Sequence, residues 1–156
     1  MKQLSKVDFR IANFIIGLIA VFMIFLPTLI LKDSETSFSG LEIALGKEFA
    51  SLGSLASGEI AFNPIVLLAF VLPLIGALIP FFTGKVNFIS TCVYAVAAIL
   101  IFAIPEFTTV TVTILGNVNE VDVEWTYGIG LIFAASLSIL GVILGSYNLY
   151  VSQKTK

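Results

Sequence analysis

Histidine is absent from this chain, and cysteine and arginine occur once each, at Cys92 and Arg10. Charged residues make up 12 % of the chain, about half the ~25 % of a soluble domain. Each shortage excludes something. Without histidine there is no imidazole for metal ligation or for acid–base work near neutral pH. A single thiol forms no intramolecular disulfide, and in apolar surroundings it is not activated. No HExxH, GxSxG, Walker-type loop or CxxC occurs. Eight basic residues against ten acidic ones are too few for a nucleic-acid surface. An enzyme, a bound cofactor, a metal site and a nucleic-acid partner are therefore not expected.

What the chain has is apolar length. Hydrophobic residues are 58 % of 156. Four stretches, 11–31, 64–82, 86–104 and 129–149, contain no Asp, Glu, Lys or Arg. Each is near the ~20 residues that cross a ~30 Å hydrocarbon core as a helix. The first exceeds the about 7–15 residues of a signal-peptide core and no A-x-A-like site follows, so it reads as a retained span. The expected fold is a membrane all-α four-helix bundle forming one domain over 1–156. External loops at 32–63 and 105–128 are expected to build a small extracellular antiparallel β-sheet.

Lys and Arg orient the spans. Lys2, Lys6, Arg10, Lys85, Lys154 and Lys156 share one side with Asp8, giving +5. Lys32 and Lys47 share the other with nine acids, Asp33, Glu35, Glu42, Glu48, Glu59, Glu106, Glu120, Asp122 and Glu124, giving −7. The reading is a multi-pass plasma-membrane protein with both termini cytoplasmic. Phe62, Phe107, Trp125 and Tyr127 fall at the outer interface and Phe9, Phe81, Phe82, Tyr147 and Tyr150 at the inner one, the depth amphipathic rings prefer. Asn63-Pro64 reads as a helix N-cap with proline at the first helical position. Pro105 should stop the third helix and Pro73 should kink the second.

The fourth span carries Gly130, Ala134, Ser138, Gly141 and Gly145 on one stripe, with a literal GxxxG at its end. Lipid offers no hydrophobic drive for helix association, so close backbone approach has to supply it. This stripe is a helix-packing or oligomer interface, with packing inside the chain's own bundle favoured over a homodimer seam. Asn13, Gly17 and Ala20 form a shorter stripe on the first span.

In the second loop, Val110, Val112 and Ile114 alternate with threonines, and Val121, Val123 and Trp125 alternate with Glu120, Asp122 and Glu124. A two-residue turn at Gly116-Asn117 would pair Val112 with Val121 and Val110 with Val123, with both apolar sets on one face resting on the helix ends. In the first loop, Leu41–Leu45 and Glu59–Phe62 read as short strands that complete the sheet. Glu120, Asp122 and Glu124 then form an external face for partners. A straight strand does not converge carboxylates as calcium requires, so the face reads as an attractor of basic partners.

The layout resembles that of claudin-type four-helix proteins, with cytoplasmic termini, a longer first and shorter second external loop and an external sheet. The claudin first-loop signature of Trp, Gly-Leu-Trp and two cysteines is absent, so neither barrier function nor residues carry over. The stretches Phe38-Ser-Gly-Leu-Glu-Ile-Ala-Leu-Gly46, Phe62-Asn-Pro and Tyr127-Gly-Ile-Gly130 resemble small four-span membrane proteins of low-GC Gram-positive bacteria, a resemblance that implies no activity.

The spans hold no carboxylate, lysine or histidine for an ion relay and no inverted repeat. The expected function is therefore a non-enzymatic accessory or structural subunit. It would contact a membrane-protein partner or further copies of itself, within the bilayer or through the acidic cap. The alternative is a component of a homo-oligomeric channel or transporter, its wall formed by Asn13, Asn87, Tyr94 and the span hydroxyls Ser90, Thr91, Ser136 and Ser138.

Overall fold

The computed structural model describes residues 6–32, 36–51, 56–83 and 88–154. Lys2, Lys85, Lys156, Asp33, Glu35 and Asn87 lie outside them. The chain is mostly helical, with two antiparallel sheets. The helices are α1 Lys6–Phe22, α2 Gly40–Leu45, α3 Pro64–Thr83, α4 Phe88–Phe102, α5 Ile104–Phe107 and α6 Ile129–Lys154. The strands are β1 Pro27–Leu31, β2 Ser37–Ser39, β3 Lys47–Ser51, β4 Ala56–Ile60, β5 Val110–Ile114, β6 Asn117–Val121 and β7 Trp125–Tyr127.

α1 and α4 each pack against both α3 and α6, so the four long helices close into a ring. Both sheets sit at the end where α1 and α4 finish and where α3 and α6 begin. Among the described residues, α3 and α6 are long and apolar enough to cross a membrane, while Phe9–Phe25 and Phe88–Phe102 are shorter apolar helical stretches. Of the four expected spans, two thus pass by length and composition, and the other two are shorter helical stretches.

The first span does not reach Leu31. α1 ends at Phe22, a single 3-10 turn covers Met23–Phe25, and Leu26 is extended at φ −89° and ψ 159°. Pro27 is the cause. Its ring disfavours helical geometry at the preceding residue, and it has no N–H to continue the ladder. The next five residues become β1, paired with β2 on one side and β7 on the other. The third span likewise stops at Phe102, with Ala103 as a turn and Pro105 in the first turn of α5. α3 continues through Pro73 and Pro80. At its start, Asn63 Oδ1 accepts from Ile65 N–H at 3.1 Å, so Asn63 caps the helix and Pro64 opens it.

The layer at this end of the helices is two sheets, not one: β2-β1-β7 and β3-β4-β5-β6. The second joins first-loop strands to the second-loop hairpin through β4 and β5. Leu41–Leu45 is not a strand. Ser39 and Glu42 form a reciprocal capping box that starts α2 there, a local arrangement that satisfies helix-end donors and outweighs the alternating pattern. The hairpin turn is Leu115-Gly116, not Gly116-Asn117, so Val110 pairs with Val121 and Val112 with Asn119. This offset of two residues keeps the paired side chains on their expected faces, but the second strand ends at Val121 and does not run on to Trp125. The sheet does not lie flat on the helices. Ile60 and Val110, at its base, are buried in the core with Phe38, Ile43, Phe70, Ile104 and Leu131. β6 is exposed along its whole length.

Candidate functional site

The helices are apolar outside, and their interior mixes small and polar side chains with Val66, Phe70, Ile101 and Leu131. Ile11, Ile15 and Leu18 of α1, Leu67, Leu68 and Ile75 of α3, Ile99 of α4, and Ile132, Phe133 and Ile143 of α6 are exposed. Asn13, Ser90, Thr91, Tyr94 and Ser138 are buried. The interior turns on Tyr94, the largest fully buried side chain. A Cβ on Gly17 would lie 2.8 Å from its hydroxyl, one on Gly76 3.1 Å from its ring, and one on Gly141 2.5 Å from its ring. Three helices thus each present a glycine to a ring carried by the fourth. The Tyr94 hydroxyl donates to the Asn13 carbonyl at 2.8 Å.

A second interior contact follows from Pro80. Its missing N–H leaves the carbonyl four residues earlier, on Gly76, without its helical donor. The Ser90 hydroxyl donates to that carbonyl at 2.6 Å. Ser90 Oγ in turn accepts from Asn13 Nδ2 at 3.5 Å.

The α6 stripe is spent within the chain. Gly130 abuts the Met23 and Leu26 carbonyls, Ala134 is fully buried, Ser138 donates to the Ala134 carbonyl at 2.8 Å, Gly141 faces Tyr94 and Gly145 faces Thr91. Asn13, Gly17 and Ala20 are likewise buried, with Gly17 against Pro73 and Ala77 of α3. Among the described candidates for a pore wall, Asn13, Ser90, Thr91, Tyr94 and Ser138 face inward, and Ser136 is exposed. Cys92 is half-buried.

The cap carries a concavity of about 690 Å³. Glu106, Glu120, Asp122 and Glu124 line it together with Lys32, Trp125 and Tyr127. Four carboxylates thus meet one ammonium. The three acids expected on one strand are there, but not on one strand. Glu120 is on β6, while Asp122 and Glu124 lie in the break before β7. The Lys32 N–H donates to the Glu124 carbonyl at 3.1 Å, and the two side chains form an ion pair. The hydrogen bond and charge of Lys32 hold the Glu124 carboxyl below the ordinary carboxylate value. Behind the cleft, Trp125 packs edge-on to Phe38 at 6.0 Å, and Phe38 edge-on to Phe49 at 5.5 Å.

Compared with family models, with curated proteins and with solved structures, the chain has no match in any of the three. The chemistry of the site rests on its own residues. No group of three or more His, Cys, Asp or Glu converges as metal ligands among the described residues.

Glu106 and Lys32 were not legible as parts of this cleft, because each lies on a different segment from the β6–β7 acids. The Tyr94 socket was also missed. Its signal was present in the sequence as Tyr94 in the middle of one apolar stretch and glycine in each of the three others.

Proposed function

We propose that this chain is a four-span plasma-membrane protein with cytoplasmic termini and no enzymatic activity. It acts as an accessory or structural subunit that meets its partner within the bilayer or through the acidic cap. The observation that supports this reading is the helix surface, with Ile, Leu and Phe exposed on all four long helices while Gly, Ala, Ser, Asn and Tyr are buried between them. A soluble protein rarely exposes a contiguous apolar patch beyond a few hundred Å², whereas lipid solvates such a surface. The 3-10 turn after α1 and α5 after α4 extend the two shorter helices toward the ~20 residues a bilayer requires.

Two experiments test the reading. Reporters fused at each terminus and inserted after Gly116 should place both termini on the cytoplasmic side and the hairpin outside. Gentle solubilisation in neutral detergent should recover a complex of defined size. Termini on opposite sides would overturn the topology, and a homogeneous monomer would overturn the subunit reading. A pore built from several copies is less well supported, because most of the described polar span residues are used inside one chain.

A further inference from the structure

Each sheet has two edges, and three of the four are blunted. β2 and β7 have three residues each. β3 carries Lys47 and a register irregularity between Glu48 and Ala50. Short length, lysine and bulges are the usual devices that keep an edge from pairing with another chain. β6 has none of them. It is five residues long, pairs with β5 in unbroken register, lacks Pro and Lys, and is exposed throughout.

The register also shows which backbone groups are available. In a two-residue hairpin, the residues flanking the turn form a hydrogen-bonded pair, and such pairs alternate with non-bonded ones. Ile114 and Asn117 flank the turn. Asn117, Asn119 and Val121 therefore direct their N–H and C=O groups to β5. Val118 and Glu120 direct theirs outward, and Glu120 also lines the cleft with Glu106, Asp122 and Glu124.

We propose that β6 receives an extended segment of another protein by strand addition, and that this segment carries lysine or arginine at alternate positions. Main-chain bonds to Val118 and Glu120 would supply the pairing, and alternate side chains the selectivity. Charge chooses the occupant. A strand with cations on the Glu120 face sets them beside the cleft carboxylates. A second copy of this chain would set like charges against them, which is unfavourable. The proposal rests on the external, partner-binding reading of the cap given above.

The test uses the full chain in neutral detergent and a fluorescent peptide alternating lysine with threonine, long enough to span β6. Saturable binding is expected. The Val118→Pro variant removes one outward N–H and leaves every carboxylate in place, and should weaken binding about tenfold or more. A probe of the same charge with proline at alternate positions should bind the unaltered protein as weakly, which keeps the test decisive should Val118→Pro disturb the hairpin. Replacing the probe's lysines with glutamate should abolish binding. Absence of saturable binding overturns the proposal. So does equal binding by the proline probe, which would reduce the effect to charge alone, and so does dimerisation of the chain through β6. Detergent binding does not depend on topology, so failure here leaves the membrane reading standing, and a topology failure leaves the peptide result intact.

Discussion

Tyr94 of α4 and Gly141 of α6 meet so closely that a Cβ on the glycine would lie 2.5 Å from the tyrosine ring. The ring cannot retreat, because Gly17 and Gly76 present their backbones to it from α1 and α3. Gly141→Ala should therefore destabilise the protein by about 1–3 kcal/mol, the cost of overpacking a filled interior. In a Tyr94→Ala background the same change should cost much less, since the residues share one space. Thermal unfolding in detergent of the four proteins of that cycle checks it, and additive costs would refute the socket.

Ser90 and Pro80 form a second coupled pair. Ser90→Ala should cost about 1–3 kcal/mol, because the Gly76 carbonyl loses its donor inside an apolar interior. Pro80→Ala restores an N–H that can bond that carbonyl along the helix. In that background the Ser90→Ala penalty should shrink. Asn13 also loses a weak contact to Ser90 in both backgrounds, so the difference between them isolates the carbonyl.

The hairpin turn offers a stabilising change. Leu115 adopts φ +50° although it is not glycine, and it is 73 % exposed. Leu115→Asn creates the Asn-Gly pair that favours this turn. Little packing is lost, and a gain of about 0.5–1 kcal/mol is expected from relief of backbone strain. Gly116→Ala should do the reverse. Nothing lies within 4 Å of the added Cβ, but φ +83° strains any L side chain. Amide exchange of the hairpin in both variants reads the outcome.

Acid should loosen the cap. The Glu42 carboxyl is held below its ordinary value of 4.5 by a hydrogen bond from Lys47 and then by the Ser39 backbone, and Glu124 is held below it by Lys32. A carboxyl depressed in the folded state contributes stability that is fully present above its unfolded value and is lost as pH falls through the folded one. Cap stability should be level near neutral pH and decline below about 4.5. Both pairs are exposed, so the effect is small and salt-sensitive. Lys32→Met should return Glu124 toward the ordinary value, as carboxyl NMR titration can show, and leave Glu42 unmoved.

Much of the architecture was readable in the chain itself. Apolar length located four helices, Asn63-Pro64 located the start of α3, and alternation located β5, while the second alternating run at 120–125 overlaps only the end of β6 and the start of β7. These features depend on local composition and period, which do not need a partner to be visible. The end of the first helix was readable in principle, since Pro27 lies inside the apolar stretch, but hydropathy does not distinguish a further helical turn from β1. The pattern at Leu41–Leu45 misled because the Ser39–Glu42 capping box decides that segment.

The sequence by itself determined where charge is allowed, and with it the apolar helices and the acidic end. Only the tertiary structure decided what those residues do. It turned the α6 glycines onto Tyr94 and Thr91, joined Lys32 to Glu124 across 92 positions, and brought Glu106 to the β6 edge. Contacts between distant segments depend on how helices and strands pack, and no local period records that packing.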